Sequence, residues 1–115
     1  MNFTDLTPYI NKLDLIKETA TQIIKDFEIF GHEIKFSGNE MTAYAELKIQ
    51  VAPILSKMYE SKMSAFQSLL YRIDISEKKF RELIGESNNN NFEDNLADAV
   101  IQREFQKVLT RKFFS

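Results

Sequence analysis

The stretch DLTPYINKLDLIKETATQIIKDFEIF, residues 5–30, carries the strongest periodic pattern in the chain. Because an α-helix turns once in about 3.6 residues, spacings that alternate between three and four place side chains on one side of a helix. Ile10 and Ile24 widen that apolar side, which is typical of a helix packed inside a bundle rather than of a two-stranded coiled coil. The stretch therefore predicts a long first helix. The residues that share this spacing are Leu6, Tyr9, Leu13, Ile16, Ala20, Ile23, Phe27 and Phe30.

Residues that commonly begin and end helices stand at both ends of this stretch. Thr4 or Thr7 suits the N-cap, and Pro8 suits the first turn. Gly31 stands where a glycine often ends a helix. Residues 33–36 then alternate apolar and polar, which leaves a short strand open as one interpretation. We favour an extended connector whose Ile34 and Phe36 enter the core.

Residues 40–84 repeat the helical spacing of apolar residues, with interruptions. Asn39 suits a cap, Pro53 predicts a kink or a restart, and a break is expected near Ser61. Asp74 and Glu77 have the spacing of a capping box, with Ser76 as the rival cap. Whether this part forms one kinked helix or several stays open at the level of sequence. The apolar residues that set the pattern up to the break are Met41, Tyr44, Leu47, Val51, Leu55 and Met58.

A run of four Asn residues, 88–91, predicts a loop before a last helix. Acidic residues at 93, 94 and 98 and basic residues at 103, 107, 111 and 112 follow in that order, which matches the helix macrodipole. The sequence as a whole therefore predicts an all-α fold: a bundle of four to five helices with long first and last helices. Its 115 residues, of which 43% are apolar and 28% charged, fit a single helical domain over 1–115.

The chemistry available to the chain is restricted by its composition. There is no Cys and only one His, His32, so thiol nucleophiles, disulfides and the usual zinc ligand sets have no basis in the sequence. No glycine-rich phosphate loop, nucleophile elbow or Glu-x-x-His pair is present. We therefore expect no metal and no cofactor, and we lean against an enzyme. A site made of two carboxylates stays open as an alternative.

Two surfaces are candidates for binding. Arg103, Lys107 and Arg111 recur every four residues and line one face of the last helix, which suggests contact with nucleic acid or an acidic partner. Leu15 and Ile29 point away from the main apolar side of the first helix and suggest a partner surface if exposed. A net charge of −2 argues against nucleic acid.

The leading hypothesis from the sequence is a non-catalytic interaction or assembly protein, with a homodimer or another protein as its partner. The first alternative is the basic-face binder, and the second is the carboxylate enzyme. The sequence shows no apolar run of the length that a bilayer requires, and the absence of Cys favours a reducing compartment, so we expect a soluble cytoplasmic protein.

Overall fold

Five α-helices make up 81% of the residues that the computed structural model describes, which are 13–86 and 91–114. No strand occurs in these ranges, so the predicted all-α class and the predicted number of helices are confirmed. None of the described helices combines the length and apolar character that a membrane span needs. In chain order the helices are α1 (Leu13–Glu28), α2 (Ala43–Ser61), α3 (Met63–Ile73), α4 (Glu77–Glu86) and α5 (Phe92–Phe114).

Helix α1 buries the apolar side that its spacing predicts. It ends at Glu28, where Gly31 at φ 84° and a bond from the His32 amide to the Phe27 carbonyl close the last turn. Leu15, however, is buried in the core, so the expectation that it points outward is wrong. The physical reason is that α1 packs against α2, α3 and α5, and therefore buries more than one narrow stripe. The predicted start of this helix, with Thr4, Thr7 and Pro8, lies outside the described residues.

The segment between α1 and α2 is an extended connector. Ile34 is buried and Phe36 packs against the core, which confirms the connector interpretation over a strand. The Gln50 side-chain amide fixes this segment from α2. It accepts a hydrogen bond from the Lys35 amide at 2.9 Å and donates one to the Lys35 carbonyl at 2.7 Å. The side chain of a helix thus supplies the two bonds that a neighbouring strand would otherwise make.

Residues 43–86 form three separate helices. Helix α2 continues through Pro53, and the expected break falls at Lys62. Asp74, at φ 72°, ends α3 instead of beginning α4. The cap of α4 is Ser76, whose hydroxyl accepts a hydrogen bond from the Lys79 amide at 3.0 Å.

The start of α2 differs from the prediction. Asn39 does not cap the helix, because its side chain accepts a bond from the Met41 amide at 2.9 Å and forms a turn before it. The helix begins only at Ala43. Met41 consequently lies in that turn and is 86% exposed, although its spacing placed it on the buried side of the helix.

Helix α5 contacts all four other helices and forms the centre of the bundle. It is the longest described helix, with 23 residues, and its acidic first turn and basic last turn follow the predicted polarity. A cluster of aromatic rings in edge-on and tilted contact joins α2, α3 and α4 to the first turn of α5: Tyr59, Phe66, Phe80 and Phe92.

Pro53 offers a test of the continuity of α2. Proline in the interior of a helix removes one backbone hydrogen bond and is unfavourable by about 3 kcal/mol relative to alanine, partly offset by its stiffness in the unfolded chain. We expect Pro53→Ala to raise the free energy of unfolding by about 2 kcal/mol in urea titrations.

Ser56→Ala on the same helix is the control and should change stability by only about 0.5 kcal/mol. Equal effects of the two substitutions would show that α2 is already adapted to its proline.

Candidate functional site

Two carboxyl groups meet in the interior of the bundle. Asp26 of α1 is 1% exposed and Glu104 of α5 is 0% exposed. Each residue lies next to a fully buried Phe of its own helix: Asp26 precedes Phe27, and Glu104 precedes Phe105. Charged carboxylates are rarely buried without partners, so the contacts of this pair decide what it does.

Asp26 accepts its hydrogen bonds from Arg72 and Gln22 through a single carboxylate oxygen, Oδ1. Arg72 of α3 donates from Nε to Asp26 Oδ1 at 2.8 Å, and Gln22 donates to the same atom at 3.0 Å. Asp26 Oδ2 and both carboxyl oxygens of Glu104 are buried and receive no hydrogen bond from a donor among the described residues. The nearest cation to Glu104 is Lys107, whose Nζ lies 3.8 Å from Oε1, beyond hydrogen-bond distance.

The two groups have pKa values that move in opposite directions. Burial alone raises the pKa of Asp26, but hydrogen bonds with Glu104, Arg72 and Gln22 outweigh it and hold the pKa below its ordinary value. Burial, and then the bond to Asp26 and its charge, raise the pKa of Glu104 to about 9, against the opposing charges of Lys107 and Arg111. The shifts are thus opposite in direction, with Asp26 favoured as the charged group and Glu104 as the neutral one.

The carboxyl pair is closed to solutes. The carboxylate alternative predicts convergent acids with shifted pKa values in a concave site, and this pair meets the electrostatic part of that description. Neither residue, however, lines the surface grooves described for this chain. The arrangement can hold and release a proton, and it joins α1 to α5. Within the described residues no three His, Asp or Glu side chains are grouped as a metal site would require.

The three basic residues predicted as a binding face of α5 each make a hydrogen bond to a neighbouring helix. Arg103 donates to the carbonyl and the carboxylate of Asp74, and Lys107 donates to the Arg72 carbonyl at 3.1 Å. Both cations thus neutralise the C-terminal end of α3, where carbonyls lack helical donors and the macrodipole is negative. Arg111 reaches Gln22 of α1 at 3.4 Å. The structure brings the three predicted residues onto one face, on which Arg103 and Lys107 are partly buried against the end of α3 and Arg111 is exposed.

An exposed apolar line on α2 is the surface that sequence reasoning missed. Ala45, Ile49 and Pro53 of α2 follow one another at intervals of four, Met41 stands four residues earlier in the turn before the helix, and all four are exposed, with Ile49 at 76%. We call them the α2 line. The sequence indicates this surface, because Ile49 and Pro53 fall outside the helical spacing of the buried apolar residues. Those buried or half-buried residues are Tyr44, Leu47, Val51 and Leu55. Beside the line runs a groove bordered by Lys48, Ala52, Ser56, Lys57, Glu60, Glu93 and Asp94.

Other exposed apolar side chains are more scattered. Ile29, at 57% exposed, points outward as expected, but without Leu15 it has no second member for the predicted partner surface. Tyr71 on α3 is 86% exposed beside a groove between α3 and α4. Single exposed apolar residues are normal on soluble proteins, so these carry less weight than a line of four.

Comparison of the chain with protein-family models, with curated proteins and with solved structures finds no match. The chemistry and geometry of its own residues therefore carry any functional proposal.

The bond between Arg72 and Asp26 gives a direct test of this site. Arg72→Ala leaves a buried carboxylate without its cation, so we expect the free energy of unfolding to fall by about 2–3 kcal/mol at neutral pH. Chemical denaturation followed by circular dichroism measures this change.

Arg81→Ala is the matched control, because Arg81 also makes a 2.8 Å bond to a carboxylate, Glu77, but on the exposed face of α4. Its loss should change stability by less than about 0.5 kcal/mol. If both variants lose the same stability, the buried pair has no special energetic role.

Proposed function

We propose that this chain is a non-catalytic assembly protein that forms a homodimer through the α2 line. The observation that carries the proposal is the exposure of two large apolar side chains, Met41 at 86% and Ile49 at 76%, on one line of four apolar residues. Burying a side chain of this size in an interface stabilises it by about 1.5–3 kcal/mol relative to leaving it in water. A two-fold dimer would bury each of them twice.

The order of sizes along the α2 line fits a second copy of the same helix. Met41 and Ile49 are large, whereas Ala45 is small and the Pro53 ring is flat. When two α2 helices cross antiparallel at the level of residue 47, Ile49 of each copy lies over Ala45 of the other. A large residue then faces a small one at both of these contacts, which is how helix surfaces interdigitate.

The other two functions considered have less support from the geometry. A binder of nucleic acid or an acidic partner would need Arg103 and Lys107, which are engaged at the end of α3. An enzyme using the carboxyl pair would need access to Asp26 and Glu104, which are buried. The cytoplasmic location expected from the cysteine-free composition stays a prediction.

Sedimentation equilibrium over micromolar to millimolar concentrations tests the dimer. The wild-type chain should approach twice its mass of 13.5 kDa. Ile49→Asp should raise the dissociation constant by about a hundredfold, because it buries two unpaired charges per dimer. Tyr71→Asp, at an equally exposed apolar residue on α3, should leave it unchanged. A monomeric wild-type mass at every concentration would overturn the proposal.

Disulfide trapping tests the antiparallel register, since the chain has no cysteine of its own. A mixture of Ala45→Cys and Ile49→Cys chains should oxidise to the mixed dimer in preference to either homodimer. Tyr71→Cys chains should join neither. Preferential linkage of Ile49→Cys to itself would contradict this register while leaving a dimer of another geometry in place.

A further inference from the structure

We propose that Asp26 and Glu104 share one proton in the folded protein and that loss of this proton loosens the contact between α1 and α5, making the pair a pH-sensitive device. This proposal does not depend on the α2 line or on the dimer. The proposal rests first on placement. Two carboxyl groups on different helices meet where both are fully excluded from water, and three of their four oxygens receive no hydrogen bond from the described residues.

One proton shared by the two carboxyl groups removes the repulsion between them and supplies the missing hydrogen-bond donor. Two ionised carboxylates would repel each other across a medium of low dielectric constant, and their free oxygens would have no donors. With one proton, the Glu104 hydroxyl donates to Asp26, and Asp26 carries the one remaining negative charge. That charge faces Arg72, which binds its other oxygen at 2.8 Å. The pair then contains one anion, one neutral acid and one cation in direct contact.

Charged groups from each neighbouring element bear on the pair. Arg72 reaches it from α3, and Lys107 and Arg111 act on Glu104 from α5 itself. Helix α1 supplies Asp26 and, further along, the Glu18 partner of Lys112. The charges facing α5 from the remaining helices are already paired or exposed: Lys48 of α2 binds Asp98 at 3.1 Å, and Glu77 of α4 binds Arg81 on the surface.

The positive groups are arranged so that they do not replace the proton. Arg72 is committed to Asp26, and Lys107 donates to the Arg72 carbonyl while its Nζ stays 3.8 Å from Glu104. When base removes the proton, the second negative charge appears beside the first, and the least costly response is to admit water between α1 and α5. The contact that loosens is therefore the one the two carboxyls bridge.

The direction of the pH effect follows from the two pKa values. The pKa of Glu104 rises from an ordinary 4.5 to about 9 on folding, so between these values the folded chain binds one more proton than the unfolded chain. The unfolding equilibrium constant should then increase by up to tenfold per pH unit across this window. Asp26 acts at the acid end: its lowered pKa means that its contribution is present above 3.8 and is lost as the pH falls below that value. The pair stabilises the fold most in mildly acidic solution.

Urea denaturation at a series of pH values from about 5 to about 9 tests the shared proton. Glu104→Gln keeps a donor to Asp26 but cannot titrate, so its unfolding constant should not follow the wild-type pH dependence. It should also be the more stable protein at the alkaline end. Glu82→Gln, an exposed residue on α4, is the control and should keep the wild-type slope. A wild-type slope in Glu104→Gln overturns the proposal.

A second measurement does not depend on any variant folding. In wild-type protein labelled with carbon-13 at the glutamate carboxyls, one resonance should titrate only in alkaline solution while the exposed glutamates titrate in acid. If every glutamate resonance titrates in acid, no shared proton exists.

Amide exchange tests where the molecule loosens. Wild-type protein and Glu104→Gln are compared at one alkaline pH, so the intrinsic exchange rates are equal. The wild type should show lower protection in α1, by tenfold or more, while the amides of α2 remain equal in the two proteins. Equal protection of α1 in both proteins would overturn the loosening, and a uniform loss over all helices would show global instability instead.

Discussion

The contacts of α5 with every other helix are the constraint on which the rest of this structure depends. A helix with partners on most sides cannot divide its residues into one apolar and one solvated face, as a surface helix does. Its buried apolar residues are Leu96, Ala97, Val100, Ile101, Phe105 and Val108. The polar residues between them must find partners inside the molecule, because little of the circumference of α5 is left to water.

That constraint explains why the polar residues of α5 behave as structural parts. Arg103 and Lys107 satisfy the C-terminal end of α3, and Tyr44 of α2 donates to Asp98, which also binds Lys48. Burial, followed by the bond to Asp98 and its charge, raises the pKa of Tyr44, so this donor keeps its proton. Glu104 receives no hydrogen bond from a donor of the described residues other than the carboxyl group it meets, that of Asp26, and its ion pair with Lys107 spans 3.8 Å. The carboxyl pair is thus a local result of the same packing that places α5 at the centre.

Much of the fold could be predicted from the sequence because it depends on the spacing of apolar and capping residues within a few positions of one another. The buried side of α1, the end at Gly31, the break near Ser61, the connector role of Ile34 and the polarity of α5 all follow from neighbours within a few residues. The errors share one cause, which is that a single sequence does not say how many partners a helix has. Leu15 was predicted to point outward because one apolar stripe was assigned to α1, which packs against three helices. Asn39 was predicted to cap α2, but its side chain serves the turn before that helix. Of the two caps left open for α4, Ser76 is the one that the structure forms.

The proline at the end of the α2 line also changes what a neighbouring surface would contact there. Pro53 has no backbone N–H, so the Ile49 carbonyl loses the donor that helical geometry normally supplies from four residues ahead. An acceptor atom therefore stands between Ile49 and Pro53, two apolar residues on the exposed side of the helix. A surface that covers this place without a donor of its own would desolvate that oxygen or retain a water molecule on it. Apolar shape alone is therefore not a sufficient description of the complementary surface, which must also match this one backbone oxygen.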